Sequence, residues 1–200
     1  MHVFDPAANE FYASEFQGLE LAGQDLSGKV FEECGFSGCD FSDADFSRAR
    51  FIDCHFSKCN LSLIKVTLAR FSGVTFEACK LVGVDWTRAA WPQLALVAPF
   101  AFHQCIINDS SFFGLNLHEL VLEECKAHDV DFRETTLTEA NFSHSDLSNS
   151  LFGKTDLSGA NFEEAVNYRI DIFNNRLKGA RFTRAEAVNL LEGLDIELID

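Results

Sequence analysis

Much of what a catalytic or nucleic-acid-binding chain needs is scarce in this sequence. Lys and Arg number 16 against 31 Asp and Glu, giving a net charge of −15. So negative a surface repels phosphate and anionic lipid and attracts basic protein grooves, so direct DNA binding is disfavoured. The bland alternative, that the acidity only keeps the chain soluble, stays open on charge alone. No apolar run approaches the roughly 20 residues of a membrane span. The start, Met1-His2-Val3-Phe4-Asp5-Pro6, has neither the basic nor the apolar region of a signal peptide, so the cytoplasm is the expected compartment. There is no GxSxG, P-loop or GxGxxG, and no CxxC with a histidine pair to complete a zinc site. The six histidines are scattered, and Ser143-His144, being adjacent, point in different directions. We therefore expect no enzyme, no cofactor and no resident metal.

Tyrosine and tryptophan are nearly absent too, with 2 of each, whereas phenylalanine reaches 21. An ordinary core mixes its large side chains, so one slot is being filled repeatedly, and an internal repeat is the first thing to seek. Large apolar residues recur at every fifth position from Phe11 to Trp86 without a gap. After a break the register resumes one residue later, from Phe102 to Phe162, and Ile172, Leu177 and Phe182 extend it past a miss at Asn167. Neither a helix nor a flat strand has a period of five. Two residues before most centres sits a small side chain, often Ala or Cys, and the flanking residues are mostly polar. Of 12 glycines, nine stand two residues after a centre, where a type II turn needs positive φ.

Such a chain turns a corner every five residues and points one large and one small side chain at a common axis. A single unit cannot bury its own core, whereas coils stacked about 4.8 Å apart can. All seven cysteines fall on the small inward position. Stacked thiols could bridge, but an odd count and the position itself favour buried thiols acting as small apolar groups. Runs such as CDFSD (Cys39–Asp43), ADFSR (Ala44–Arg48), ANFSH (Ala140–His144) and ANFEE (Ala160–Glu164) resemble the A(D/N)LXX motif of pentapeptide-repeat proteins. The resemblance implies an all-β fold, a right-handed quadrilateral β-helix with 20 residues per coil. The expected organisation is an N-terminal cap over 1–10, a solenoid over 11–182 and a C-terminal helix and strand over 183–200.

Two segments depart from the repeat. Residues 87–101 hold two of the three prolines, and Pro cannot donate to a ladder. They read as a bulge or loop that kinks the rod and exposes some of Trp91, Leu94, Leu96, Val97 and Phe100, either a binding loop or an insertion tucked against the coil. After Phe182, Thr183 and Glu186 make a capping box ahead of Leu190, Leu191 and Leu194 at helical spacing, with Ile196, Leu198 and Ile199 as a last strand. This segment covers an open solenoid end, and Leu190, Leu191, Leu194 and Ile196 are the expected homodimer contacts, with a plain cap as the alternative.

Outward carboxylates form rows on a 20-residue coil. Glu123, Glu124, Glu163 and Glu164 share one face, with Glu119 and Glu139 stacked beside it. Further pieces, CNLSLI (Cys59–Ile64), GVDWTRAAWP (Gly83–Pro92), NYRIDIFNN (Asn167–Asn175) and LLEGLDIELID (Leu190–Asp200), resemble the albicidin- and quinolone-resistance branch of the pentapeptide-repeat family. What that resemblance implies is a dimeric DNA mimic that binds DNA gyrase, or another type II topoisomerase, and shields it from poisons. The six glutamates and Trp91 are then the candidate partner contacts. The quinolone-resistance proteins carry two extruded loops, whereas Phe11–Trp86 here is uninterrupted, so the poison does not carry over. The alternative is a structural scaffold for some other protein–protein interaction.

Overall fold

The computed structural model describes residues 4–91, 100–194 and 196. The first coil contributes β1 (Glu10–Tyr12) and β2 (Glu15–Gln17), and the second β3 (Val30–Glu32) and β4 (Gly35–Ser37). Above them follow β5 (Arg50–Ile52), β6 (His55–Ser57), β7 (Arg70–Ser72) and β8 (Val74–Glu77). The later strands are β9 (Phe100–His103), β10 (Val121–Glu123), β11 (Asn161–Phe162) and β12 (Arg181–Phe182). Each pairs in parallel with the same segment of the next coil, as in Phe11↔Phe31↔Phe51↔Phe71. The result is a right-handed, four-sided β-helix of about eight turns. Its first side carries β1, β3, β5 and β7; its second carries β2, β4, β6, β8, β9 and β10. The third and fourth sides are held by single bridges such as Asp40↔Asn60 and Asp45↔Lys65.

The period of five is a packing period. Rings stack up the axis, as in Phe16, Phe36, Phe56 and Phe76, whose successive centroids lie 5.3, 4.6 and 5.2 Å apart. Backbone groups that would otherwise be orphaned pair with the coils above and below, as Phe46 N–H does with Lys65 O at 2.8 Å. All nine glycines placed at corners have positive φ, but so do 21 others among the described residues, such as Glu33 (53°) and His144 (58°). The corner is thus imposed by the coil, and its N–H is used there: Arg48 N–H, at φ 59°, donates to Thr67 O at 2.8 Å.

The small inward position selects for more than size. Cys54 Sγ–H donates to Phe31 O at 3.3 Å, and Ser145 Oγ–H to Leu122 O at 2.7 Å, each reaching a carbonyl in the coil below. Cys, Ser and Thr share this bond, which a pattern of small residues did not reveal. Hydrogen bonding to Cys105 together with burial pushes the Cys79 thiol up to about 12, and Cys125 with burial does the same for Cys105. These thiols stay protonated, and all seven cysteines are buried and unbridged.

Four sequence expectations need correction. The break does not kink the rod. β8 pairs with β9 in register Val74↔Phe100 and Phe76↔Phe102, an offset of 26 rather than 20. Lys80↔Ile106 and Asp85↔Ser111 continue the ladder on the next two sides, so the extra residues leave from one corner. Phe100 is not exposed; it is 3% accessible, wedged among Phe71, Trp86 and Phe102. Leu94, Leu96 and Val97 lie outside the described residues. Ser143, one of the polar residues that flank the centres, does not face solvent as those positions suggest; it is 5% accessible, although Ser37 and Ser72 in the same position are exposed.

The miss at Asn167 is a slip by one. Asn167 takes a corner conformation (φ 60°), and Tyr168 swings inward against Phe162 and Phe182, 5.5 Å from each. Tyr168 Oη is buried without a hydrogen-bond partner among the described residues. A buried unpaired hydroxyl costs about 1–3 kcal/mol. Tyr168→Phe should therefore raise stability by about 1 kcal/mol in urea unfolding, and a loss of that size would mean the hydroxyl has a partner.

The capping box is not formed. Thr183 Oγ1 instead accepts from Glu164 N–H at 2.6 Å, and Glu186 Oε2 accepts from Asn167 N–H at 3.4 Å. Both side chains tie this segment to the last coil, and Glu186 Oε2 also accepts from Asn189 Nδ2–H at 3.1 Å within it. The segment Glu186–Leu194 winds as a 3₁₀ helix, entered through Ala187 N–H to Thr183 O at 3.0 Å. Of the expected last strand, Ile196 is exposed and residues 197–200 lie outside the described residues. At the other end Lys29 points inward, and its Nζ donates to Pro6 O and Ala8 O, closing the first coil.

Candidate protein-docking face

The coil brings all six predicted glutamates to one side. Leu122 and Phe162 are centres of the second side, so Glu123 and Glu163 stand on it, and Glu124 and Glu164 turn its corner with the third side (φ 53° and 55°). Glu119 and Glu139 take the opposite corner, with the first side (φ 59° and 58°). The second side is thus bordered by carboxylates on both edges.

Neighbours, most of them in adjacent coils, fix these groups. Glu123 Oε2 lies 3.2 Å from His103 Nδ1, and Gln104 Nε2–H donates to Glu124 Oε2 at 2.8 Å. Glu119 Oε1 is 3.5 Å from His118 Nε2. Glu139 leans over Gly159, occupying the place a Cβ would take, so the bare Gly159 lets the carboxylate lie flat. Thr183 Oγ1 holds the backbone of Glu164. All but Glu123 are exposed, and Glu123 is half-exposed. Arg181, His103, His118 and His144 are among the cationic or potentially cationic groups on the same stretch of this side and its corners.

Two shallow clefts open on the face. One, of about 380 Å³, is lined by His55, Thr75, Glu77, His103, Gln104, Glu123 and Glu124. The other, of about 290 Å³, is lined by Asn161, Glu163, Glu164, Arg181, Phe182 and Thr183. Both are open and lined mostly by polar residues, unlike the apolar concavities that hold small molecules. Among the described residues no group of three or more His, Cys, Asp or Glu side chains could hold a metal ion.

Trp91 is not part of this face. Its indole N–H donates to Trp86 O at 2.9 Å, and its ring lies edge-on to Phe100 at 5.5 Å, half-buried where the extra residues leave the coil. At the C-terminus Leu190 packs back on the core, Leu191 and Leu194 are half-buried, and Ile196 is 54% accessible.

The family model for the pentapeptide repeat region matches residues 29–98 and 84–162. The chain belongs to the pentapeptide-repeat family. Among solved structures, two trypsin-treated variants of QnrB1, a plasmid-mediated fluoroquinolone resistance protein, superpose with TM-scores of 0.71 and 0.61. Both are 22% identical; the alignments cover 95% and 96% of this chain and 90% and 92% of those. HetL, involved in heterocyst differentiation regulation in the cyanobacterium Nostoc sp. strain PCC 7120, matches with a TM-score of 0.57 at 16% identity, covering 87% of each chain. These likenesses establish the coil, and one coil serves proteins of different roles. No curated protein sequence matches the chain.

Proposed function

We propose that this pentapeptide-repeat chain acts by binding rather than catalysis, as a cytoplasmic decoy for duplex DNA on DNA gyrase or another type II topoisomerase, and so protects that enzyme from poisons. The observation that carries the reading is charge density. Six carboxylates border one side over three successive coils, a span of about 10 Å at sheet spacing. Duplex DNA carries one charge per about 1.7 Å, or roughly six over the same length. The protein's net charge of −15 adds a long-range field of the same sign. Similarity to the QnrB1 fold supports the reading, because a rod of this shape is compatible with poison resistance.

The test is a supercoiling and cleavage assay with purified gyrase. The protein should lower poison-stabilised cleavage at low concentration and inhibit supercoiling at high concentration. If it changes neither with any poison tried, the scaffold reading replaces this one.

The rod is proposed to act as a homodimer through its C-terminal end, with Leu191, Leu194 and Ile196 at the contact and Leu190 anchoring the helix to the coil. Leu191→Asp with Leu194→Asp should halve the mass measured by light scattering while the β-type circular dichroism persists. A wild-type chain that is monomeric at micromolar concentration would end this part of the proposal.

A further inference from the structure

Cationic groups concentrate on one stretch of this acidic rod, far around the coil from the glutamate corner at Glu124 and Glu164. Arg50 and Arg70 are direct partners on β5 and β7, pointing outward from the first side. Arg48, Leu68 and Arg88 follow one another up the corner between the fourth and first sides, tied by Arg48 N–H to Thr67 O and Leu68 N–H to Arg88 O, both at 2.8 Å. Lys65 stands beside them on the fourth side, bridged to Asp45. Four of these five cations, all but Arg88, form no ion pair or side-chain hydrogen bond among the described residues, and all five are exposed. The two carboxylates that share these coils on the fourth side are already engaged: Asp45 Oδ1 accepts from Ser47 N–H, and Asp85 pairs with Arg88 at 3.0 Å. Stacked like charges repel, so the coil gains nothing from placing Arg50 directly below Arg70.

Leu68 makes this a surface with a centre. It is 56% accessible and holds φ 58°, a conformation that side chains other than Gly, Asn and Asp adopt at a cost. Of the 21 non-glycine residues with positive φ among the described residues, only Leu63 and Leu68 are large and apolar. Leu63 is accounted for, since its side chain lies over Gly83. On the coil, Arg88 stands one position above Leu68 and Arg48 one below, with Arg50 and Arg70 beside it on the first side. An exposed apolar side chain flanked by arginines, three of them without an ion pair among the described residues, is the anatomy of a protein-binding hot spot: an anchor that desolvates within a rim of charge.

We propose that this corner is a second docking surface, whose occupant is an acidic protein segment carrying an apolar side chain among its carboxylates. Arginine forks match carboxylates in bidentate pairs, and Leu68 takes the apolar side chain. A phosphate backbone would use the guanidinium groups and leave Leu68 without a role. The proposal is independent of the glutamate face.

The probe is a fluorescein-labelled peptide of a dozen residues, mostly glutamate with two leucines, titrated with the full chain at low salt. Its controls are the same peptide with serine for leucine and a short DNA duplex. Wild type should bind the leucine peptide about five-fold or more tighter than the serine one, and tighter than the duplex. Arg50→Glu with Arg70→Glu should weaken binding at least about ten-fold, whereas Glu123→Gln with Glu163→Gln should not weaken it. Leu68→Asn should weaken binding about five-fold while the thermal midpoint holds or rises, because Asn accepts positive φ more readily than Leu. The proposal is overturned if the peptide does not bind, if the leucine and serine peptides bind alike, if the duplex binds more tightly, or if neither set of corner substitutions changes binding.

Discussion

Phe46→Ala is expected to cost about 3–5 kcal/mol, against under about 0.5 kcal/mol for Arg48→Ala two residues away. Phe46 is fully buried, and its ring meets Phe41 at 5.6 Å and Phe51 at 4.9 Å. Removing it leaves a void between coils whose backbones are tied above and below by hydrogen bonds, so the walls cannot collapse inward. Arg48 is exposed, and its contribution to the fold is the backbone bond to Thr67 O, which alanine keeps. In a solenoid each coil contacts only its neighbours, so the loss falls on one interface and should reduce cooperativity as well as the midpoint. Urea unfolding of both variants reads the difference. Equal costs would mean that the inward register is wrong.

The second large effect is on binding. Replacing Glu123, Glu124, Glu163 and Glu164 together by Gln should weaken the complex with gyrase by about ten-fold or more at low salt and flatten its salt dependence. The loss should appear mainly in the association rate, because exposed charges steer encounter. Stability should barely change, since each carboxylate is exposed or half-exposed and such groups contribute about 0–1 kcal/mol. The pair His103 with Glu123, at 3.2 Å, survives as a neutral hydrogen bond to Gln. An unchanged association rate, with the salt dependence intact, would remove the glutamate face from the interface.

The solenoid was legible because its rule is local and repeated. A large centre every five residues, a small residue two before most of them and glycine two after many fix which atoms face the axis, whereas the coil length of 20 came from the family resemblance rather than from the period. The placement of the six glutamates was legible for the same reason, since 20 residues per coil maps sequence offset directly onto height and side. Legibility fails where the chain leaves the rule. At Asn167 a one-residue slip put Tyr168 inward, and a count of fives cannot see which of two adjacent residues turns. At Thr183 and Glu186 the helical motif was read as a local pair. Tertiary partners one coil below, Glu164 and Asn167, took both side chains instead. Near Phe100 the prolines suggested a kink, but the β8–β9 ladder overrode them because hydrogen-bond register on three sides outweighs one irregular corner. The mapping of offset onto height and side also stacks Arg48, Leu68 and Arg88 at one corner, but it does not show that Leu68 stays exposed there, and a net charge of −15 points to the carboxylates instead.

The most direct measurement of the central claim is displacement of a fluorescent DNA duplex from purified gyrase by this protein, followed by anisotropy at increasing salt. A DNA decoy displaces the duplex completely and competitively, with an inhibition constant that weakens steeply as salt rises, and the four-glutamine variant displaces it at least about ten-fold less well. Duplex that stays bound at low salt in the presence of excess protein, or that is displaced equally by the wild type and the four-glutamine variant, would contradict the account.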